Sequence, residues 1–163
     1  MARLTDSAQK PGTTVSDLHM VYLRGQIAGE EGVMREALRR LAGPHAMDGL
    51  VPLIYEAFVI AVQQKFRPSF TRSEVIRFVA QVRTALGEGA ELVDPVTAEA
   101  EILLALGQRV PASPDGTVRA AAQMAVLDVI VLDLDLDEET ITALLNEARQ
   151  NAGRRTVSAQ PTK

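Results

Sequence analysis

Between Leu50 and Phe66 the chain reads LVPLIYEAFVIAVQQKF, a run with very little that favours water. On a helix, Leu50, Ile54, Phe58, Ala61 and Val62 share one face. Leu53, Ala57 and Ile60 widen that face past half a turn, and Glu56 and Gln63 leave only a thin polar stripe, with Gln64 and Lys65 at the end. A helix apolar nearly all round belongs in the middle of a bundle or in a subunit interface. It does not belong in a membrane here, because the run is too short and contains Pro52 and Glu56. Proline is tolerated in a first turn, where its missing N–H has no helical partner in any case. The helix is therefore predicted to start near residues 49–51, with Asp48 as its cap.

A core helix needs neighbours, and the chain supplies them in series. Ser16 and Asp17 open a first helix carrying Leu18, Val21, Tyr22 and Ile27. Gly25, Gly29 and Gly32 then interrupt it; each costs about 1 kcal/mol relative to Ala inside a helix. The reading is a break at this point, the alternative being that Gly25 and Gly29 admit another backbone at close range. A second helix runs from Glu30 to Leu41, with Glu30 and Glu31 at its N-terminus and Arg39 and Arg40 at its C-terminus, as the macrodipole favours. Its inward stripe is Val33, Met34, Ala37, Leu38 and Leu41, and Gly43-Pro44 stops it.

After the central helix and an Arg67-Pro68-Ser69 turn, Thr71 and Glu74 match a capping box, and Phe70 and Val75 match its hydrophobic staple. The helix this starts is expected to run to Leu86, with Val75, Ile76, Val79, Val82 and Leu86 inward, and to form a hairpin with the segment 50–66. Asp94-Pro95 pairs a cap with proline at the first helical position, and Ser113-Pro114 is read as a repeat of that device. Asp137, Glu138 and Glu139 open a last helix with Ile141, Leu144, Leu145 and Ala148 inward. Residues 1–14 and 153–163 are read as a disordered leader and tail. Helix follows helix with short links, so the expectation is an all-α, single-domain bundle of five to seven helices over residues 15–152, with flexible termini.

One segment pulls the other way. Residues 126–136, VLDVIVLDLDL, are rich in β-branched residues and end in a Leu/Asp alternation, which is a strand pattern. No partner strand is evident elsewhere, and an isolated strand leaves its backbone unpaired. The Ala-rich lead-in favours helix over residues 115–132; strand over 126–136 stays open as the alternative.

Composition narrows the function. Aromatic content is 4% with no Trp, which leaves few rings for stacking on bases. Net charge is -4, so the molecule as a whole does not attract phosphate. Cysteine is absent, which removes disulfides, thiol nucleophiles and thiolate-bound zinc. The opening MARLTDSAQK has no apolar signal core, so cytoplasmic residence is expected.

The acidic run Asp128, Asp133, Asp135, Asp137, Glu138 and Glu139 invites three chemistries. Asp133, Asp135 and Asp137 match the opening of a calcium-binding EF-hand loop. Glu138, however, occupies the glycine position, and Leu144 the bidentate acid position. The string from Leu127 to Leu134 resembles the third strand of a response-regulator receiver, which implies Asp133 as phospho-acceptor. The chain lacks the acidic pair and the lysine that the family requires around it. A two-metal carboxylate bundle needs Glu-x-x-His pairs, and neither His19 nor His45 has Glu three residues earlier. A solvated helix start capped by Asp137 accounts for the run more simply.

Lys65, Arg67, Arg72, Arg77 and Arg83 cluster around the turn before the capped helix, as in a helix-turn-helix that reads DNA. The turn lacks the usual glycine and the preceding helix is unusually apolar. No nucleophile elbow, phosphate loop or dinucleotide fingerprint is present. The chain is therefore expected to be a non-enzymatic helical interaction or adaptor protein, homodimeric through Leu50, Ile54, Phe58 and Val62, with no cofactor or metal. A DNA-binding regulator is the first alternative, and a small-molecule binder using the bundle core the second.

Overall fold

The first-turn N–H groups of a helix have no partner within it, and most helices of this chain begin at a side chain that accepts one. Ser16 accepts from His19 N, Thr71 from Glu74 N, Asp94 from Thr97 N, Asp115 from Thr117 and Val118 N, and Asp137 from Thr140 N. A computed structural model describes residues 14–158. Those residues form α1 (Asp17–Ala28), α2 (Glu31–Arg40), α3 (Leu50–Lys65), α4 (Arg72–Leu86), α5 (Pro95–Ala105), α6 (Gly116–Asp133) and α7 (Glu138–Ser158). A short 3-10 helix (Gly87–Leu92) joins α4 to α5, and no strand occurs among the described residues. The structure is the all-α bundle that the spacing predicts.

α3 is its axis. It packs along α6 and α7, with α5 and α1 closing the remaining sides. Leu53, Ala57, Phe58, Ala61 and Val62 are wholly buried. Pro52 falls in its first turn, where the lost N–H costs nothing. α4 forms an outer layer on α5 and α6.

Several sequence expectations need correction. Asp48 does not cap α3: the helix follows Gly49, and the Asp48 carboxylate meets His45 Nδ1 at 2.8 Å instead. Ser113-Pro114 is not a cap pair either; the cap is Asp115, whose own N–H donates to Ser113 Oγ. α3 and α4 do not pack as a hairpin, because α6 and α7 already occupy the sides of α3 and the Phe66–Thr71 turn sends α4 to α5 and α6. On α4 the inward residues are Val75, Phe78, Val79 and Val82, at helical spacing i, i+3, i+4 and i+7, which leaves Ile76 half-exposed.

Residues 126–133 are helical. Val126, Leu127, Val129, Ile130 and Val131 are buried on nearly every side, so packing outweighs the weak preference of branched residues for strand. The Leu/Asp alternation that looked like strand is the turn out of α6. Asp135 takes a left-handed φ of 48°, and Leu134 and Leu136 fold back onto the core. α7 continues through Gly153 to Ser158, so the domain ends later than residue 152 and residues 153–158 are helix rather than tail. The rest of the expected tail, 159–163, and residues 1–13 of the leader lie outside the described residues.

Both glycine readings hold, at different glycines. Gly29, at φ 69°, ends α1. Gly25 stays inside α1 and lets α2 close on it: a Cβ there would stand 3.2 Å from Met34 Cγ and from Val33 Cγ1. Leu23, two residues away and so roughly 200° around the helix, is buried in the core. α1 is thus held between the body and α2.

Candidate interaction surfaces

The structure places Leu50, Ile54, Phe58 and Val62 at 4%, 7%, 0% and 0% exposure within a single chain. They are core residues, buried within one chain on a helix that packs against α1, α5, α6 and α7. The periodicity found an apolar helix; only the contacts distinguish a bundle centre from an interface.

Apolar side chains reach solvent singly at Val51, Ile76, Leu92, Val96 and Leu132, and as a group on the α1–α2 hairpin and the loop that follows it. α2 packs against α1 and buries only Ala37. Val33 and Leu38 are 37% and 41% exposed. Five residues apart, they lie roughly 140° from one another and so flank the buried stripe on its two sides. Glu36 is held by Arg39 through two hydrogen bonds, of 2.7 and 2.9 Å. Val21 of α1 and Met47 in the following loop are also half-exposed.

A polar rim fixes the hairpin to the body. Arg24 pairs with Glu138, Asp17 with Arg149 at 2.7 Å, and Gln26 donates to Asp128 at 3.1 Å. Burial pushes the Asp128 carboxyl up to about 6, with the Gln26 bond pulling the other way; its Oδ1 is buried without a hydrogen-bond partner. His19 is part of the same attachment. Ser16 N–H donates to His19 Nδ1 at 3.0 Å, which assigns the proton to Nε2, and Nε2 donates to Ala46 O at 2.6 Å. Gly49 makes room for that ring: a Cβ on it would lie 2.5 Å from His19 Cε1 and 2.6 Å from Thr14 O. The sequence showed His19 as an unplaced histidine in an apolar start; a His three residues after a Ser cap was the available signal.

The basic residues divide. Lys65 pairs with Asp133 and lies over the Phe78 ring, 5.3 Å from its centroid. Arg83 turns to Ala90 O and is half-buried. Arg67, Arg72 and Arg77 stay exposed at the α3–α4 corner. There Lys65, Arg67, Arg77, Phe70, Glu74 and Gln81 line a groove of about 570 Å³. A second groove of about 560 Å³ lies beyond Phe66 and Phe70, between α3, Leu104–Gln108 and Arg155. Arg155 stacks 5.0 Å from the Tyr55 ring and pairs with the buried Glu56, whose carboxyl burial pushes up while the guanidinium holds it down.

The acidic run is dispersed among partners. Asp128 meets Gln26, Asp133 holds Lys65 and Gln81, Asp137 caps α7 and Glu138 pairs with Arg24. No group of three His, Asp or Glu side chains stands together as a metal site among the described residues. The most buried acid is one the sequence did not flag. Glu101 accepts from Arg119 Nε and Gln123 Nε2, each at 2.6 Å, and joins α5 to α6. No described helix is long and apolar enough to cross a membrane. No family model, curated protein or solved structure matches the chain.

Proposed function

We propose that the chain is a non-enzymatic, cytoplasmic helical interaction protein that acts as a homodimer, with the α1–α2 hairpin as its docking surface. The observation that carries this is α2. It is ten residues long, has no side-chain cap and, among the described residues, packs on a single helix and keeps apolar side chains exposed on both flanks. A helix that short draws its stability from tertiary burial rather than from propensity, and α1 gives it one side only.

The occupant favoured is a second copy of this chain. α2 is acidic at its start (Glu30, Glu31) and basic at its end (Arg39, Arg40), so two antiparallel copies set opposite charges against each other. Multi-angle light scattering across micromolar concentrations is expected to give the mass of two chains. Leu38→Asp is expected to give the mass of one while keeping a cooperative thermal melt, with a midpoint that no longer depends on concentration. A wild-type mass of one chain throughout would overturn the reading.

The DNA-binding alternative retains Arg67, Arg72 and Arg77 in solvent, while Lys65 and Arg83 are engaged within the chain. α3 and α4 also do not pack on one another as the two helices of that motif do. A ligand in the bundle core has less support, since both grooves described open at the surface.

A further inference from the structure

The chain carries more acid than base, 21 against 17, and its long-range ion pairs reflect this. Arg24, Arg119, Arg149 and Arg155 each reach a carboxylate on another helix. At the α3–α4 corner Lys65 does so too, pairing with Asp133, but two arginines beside it do not. Among the described residues the Arg67 guanidinium has no ion pair or hydrogen bond, its carbonyl alone accepting from Phe70 N, and Arg77 gives only its Nε, to Ser73 O of its own helix. Both line the same groove of about 570 Å³.

The acids nearby offset only part of this charge. Glu74, the one carboxylate in the lining, accepts from Thr71 N and Thr71 Oγ1, and those bonds hold it below the usual carboxylate range. Asp133 takes Lys65 and Gln81. Glu74 offsets one of the two guanidiniums beside the groove and leaves a net positive charge, which an anion joining them would balance. Their paired N–H donors match the oxygens of a phosphoryl group in a way that an ammonium does not.

Beneath them the ring of Phe66 stands edge-on to Phe78 at 5.6 Å and to Phe70 at 6.4 Å, which makes a firm apolar floor. The volume exceeds what an inorganic anion fills, so the group that fits carries an organic part that rests on the Phe70 side. The net charge of -4 gives no long-range attraction, so recognition here is short-range and depends on these two side chains.

We propose that the α3–α4 groove binds the phosphoryl group of a small organic phosphate monoester, with Arg67 and Arg77 as its paired donors. The probe is phenyl phosphate, titrated calorimetrically at low ionic strength beside inorganic phosphate. The expected result is saturable one-to-one binding, tighter for phenyl phosphate. Arg67→Glu and Arg77→Glu should each weaken it at least tenfold, and Arg67→Lys, which keeps the charge but loses the paired donors, should fall between. Arg35→Glu on α2 makes the same change in net charge away from the groove and should leave binding unaltered. Thermal melts establish that each variant is folded, as the exposure of all three arginines leads one to expect. Absence of saturable binding overturns the proposal, and so does an equal loss in Arg35→Glu, which marks non-specific charge attraction. Salt-sensitive binding of a DNA duplex by a protein that ignores phenyl phosphate overturns it in favour of nucleic acid.

Discussion

α2 and α3 both begin without a side-chain cap, and they are held in opposite ways. α3 lacks the roughly 1 kcal/mol that a cap contributes, but it lies against four other helices and buries nine of its sixteen residues. α2 lacks the cap and the neighbours alike. Its charges suit its macrodipole and its glycine-permitted seat on α1 is close, but it buries one residue of ten. Burial can replace every local signal at one helix, while at the other the local signals are adequate and burial is missing. The first condition defines a core; the second leaves a helix with surface to offer.

The comparison breaks most readily by truncation. Phe58→Ala on α3 removes a wholly buried ring and is expected to cost about 3–5 kcal/mol. Leu38→Ala on α2 is expected to stay within about 0.5 kcal/mol, the range of an exposed site. Urea denaturation at a concentration low enough to keep the protein monomeric measures both. A Leu38→Ala loss approaching that of Phe58→Ala would mean that α2 is part of the core after all.

Both helices were legible in the sequence, and their roles were not. The apolar circumference of residues 50–66 gave α3 its place at the centre, and the Glu30–Arg40 charge pattern with its inward stripe gave α2. The inference from α3 to a subunit interface failed because periodicity counts apolar residues without counting neighbours. α6 and α7, two long helices elsewhere in the chain, take most of that surface, and α5 and α1 take the rest. The same blindness produced the α3–α4 hairpin: adjacency in sequence suggested contact, and competition for the faces of α3 decided against it. Local signals fared better. Thr71 with Glu74, Asp94 with Pro95, and Asp137 act as caps because a cap depends on residues only three positions apart. The groove residues Arg67 and Arg77 were visible as charge, but it was not visible that the long-range ion pair at this corner goes to Lys65 instead, since Asp133 comes to it from 68 residues away.

The attachment of the hairpin to the body gives a smaller, pH-dependent effect. Asp128 has an ordinary value of 3.8 and is raised to about 6 by burial, so the folded state binds its proton more tightly than the unfolded state does. Well below pH 3.8 both states are protonated and burial of the carboxyl carries no charge penalty. As pH rises towards 6 and beyond, the fold must hold a buried carboxylate, and this contribution to stability falls. Asp128→Asn keeps an acceptor for Gln26 and cannot ionise. It is expected to be more stable than wild type by about 1 kcal/mol at pH 8, with the gap shrinking towards pH 4. Denaturation curves at the two pH values test this, and a gap that does not change with pH would place the strain somewhere other than the Asp128 charge.

The smallest expected effect concerns α2 alone. At Gly25 a Cβ would stand 3.2–3.3 Å from Val33 and Met34, and a valine adds two methyl groups to that space. Met34 can rotate away, but Val33 presents its Cβ and has little freedom at χ1, so relief comes from α2 lifting off α1. Leu23 faces the opposite way, so the core contacts of α1 remain. Gly25→Val is thus expected to leave global stability within about 0.5 kcal/mol while amide exchange in α2 quickens roughly tenfold, as a local opening does. If α2 remains protected in dilute protein, α1 is not what holds it. If protection returns only as concentration rises, the second support is another chain, and α2 differs from α3 in where it obtains its neighbours rather than in needing fewer of them.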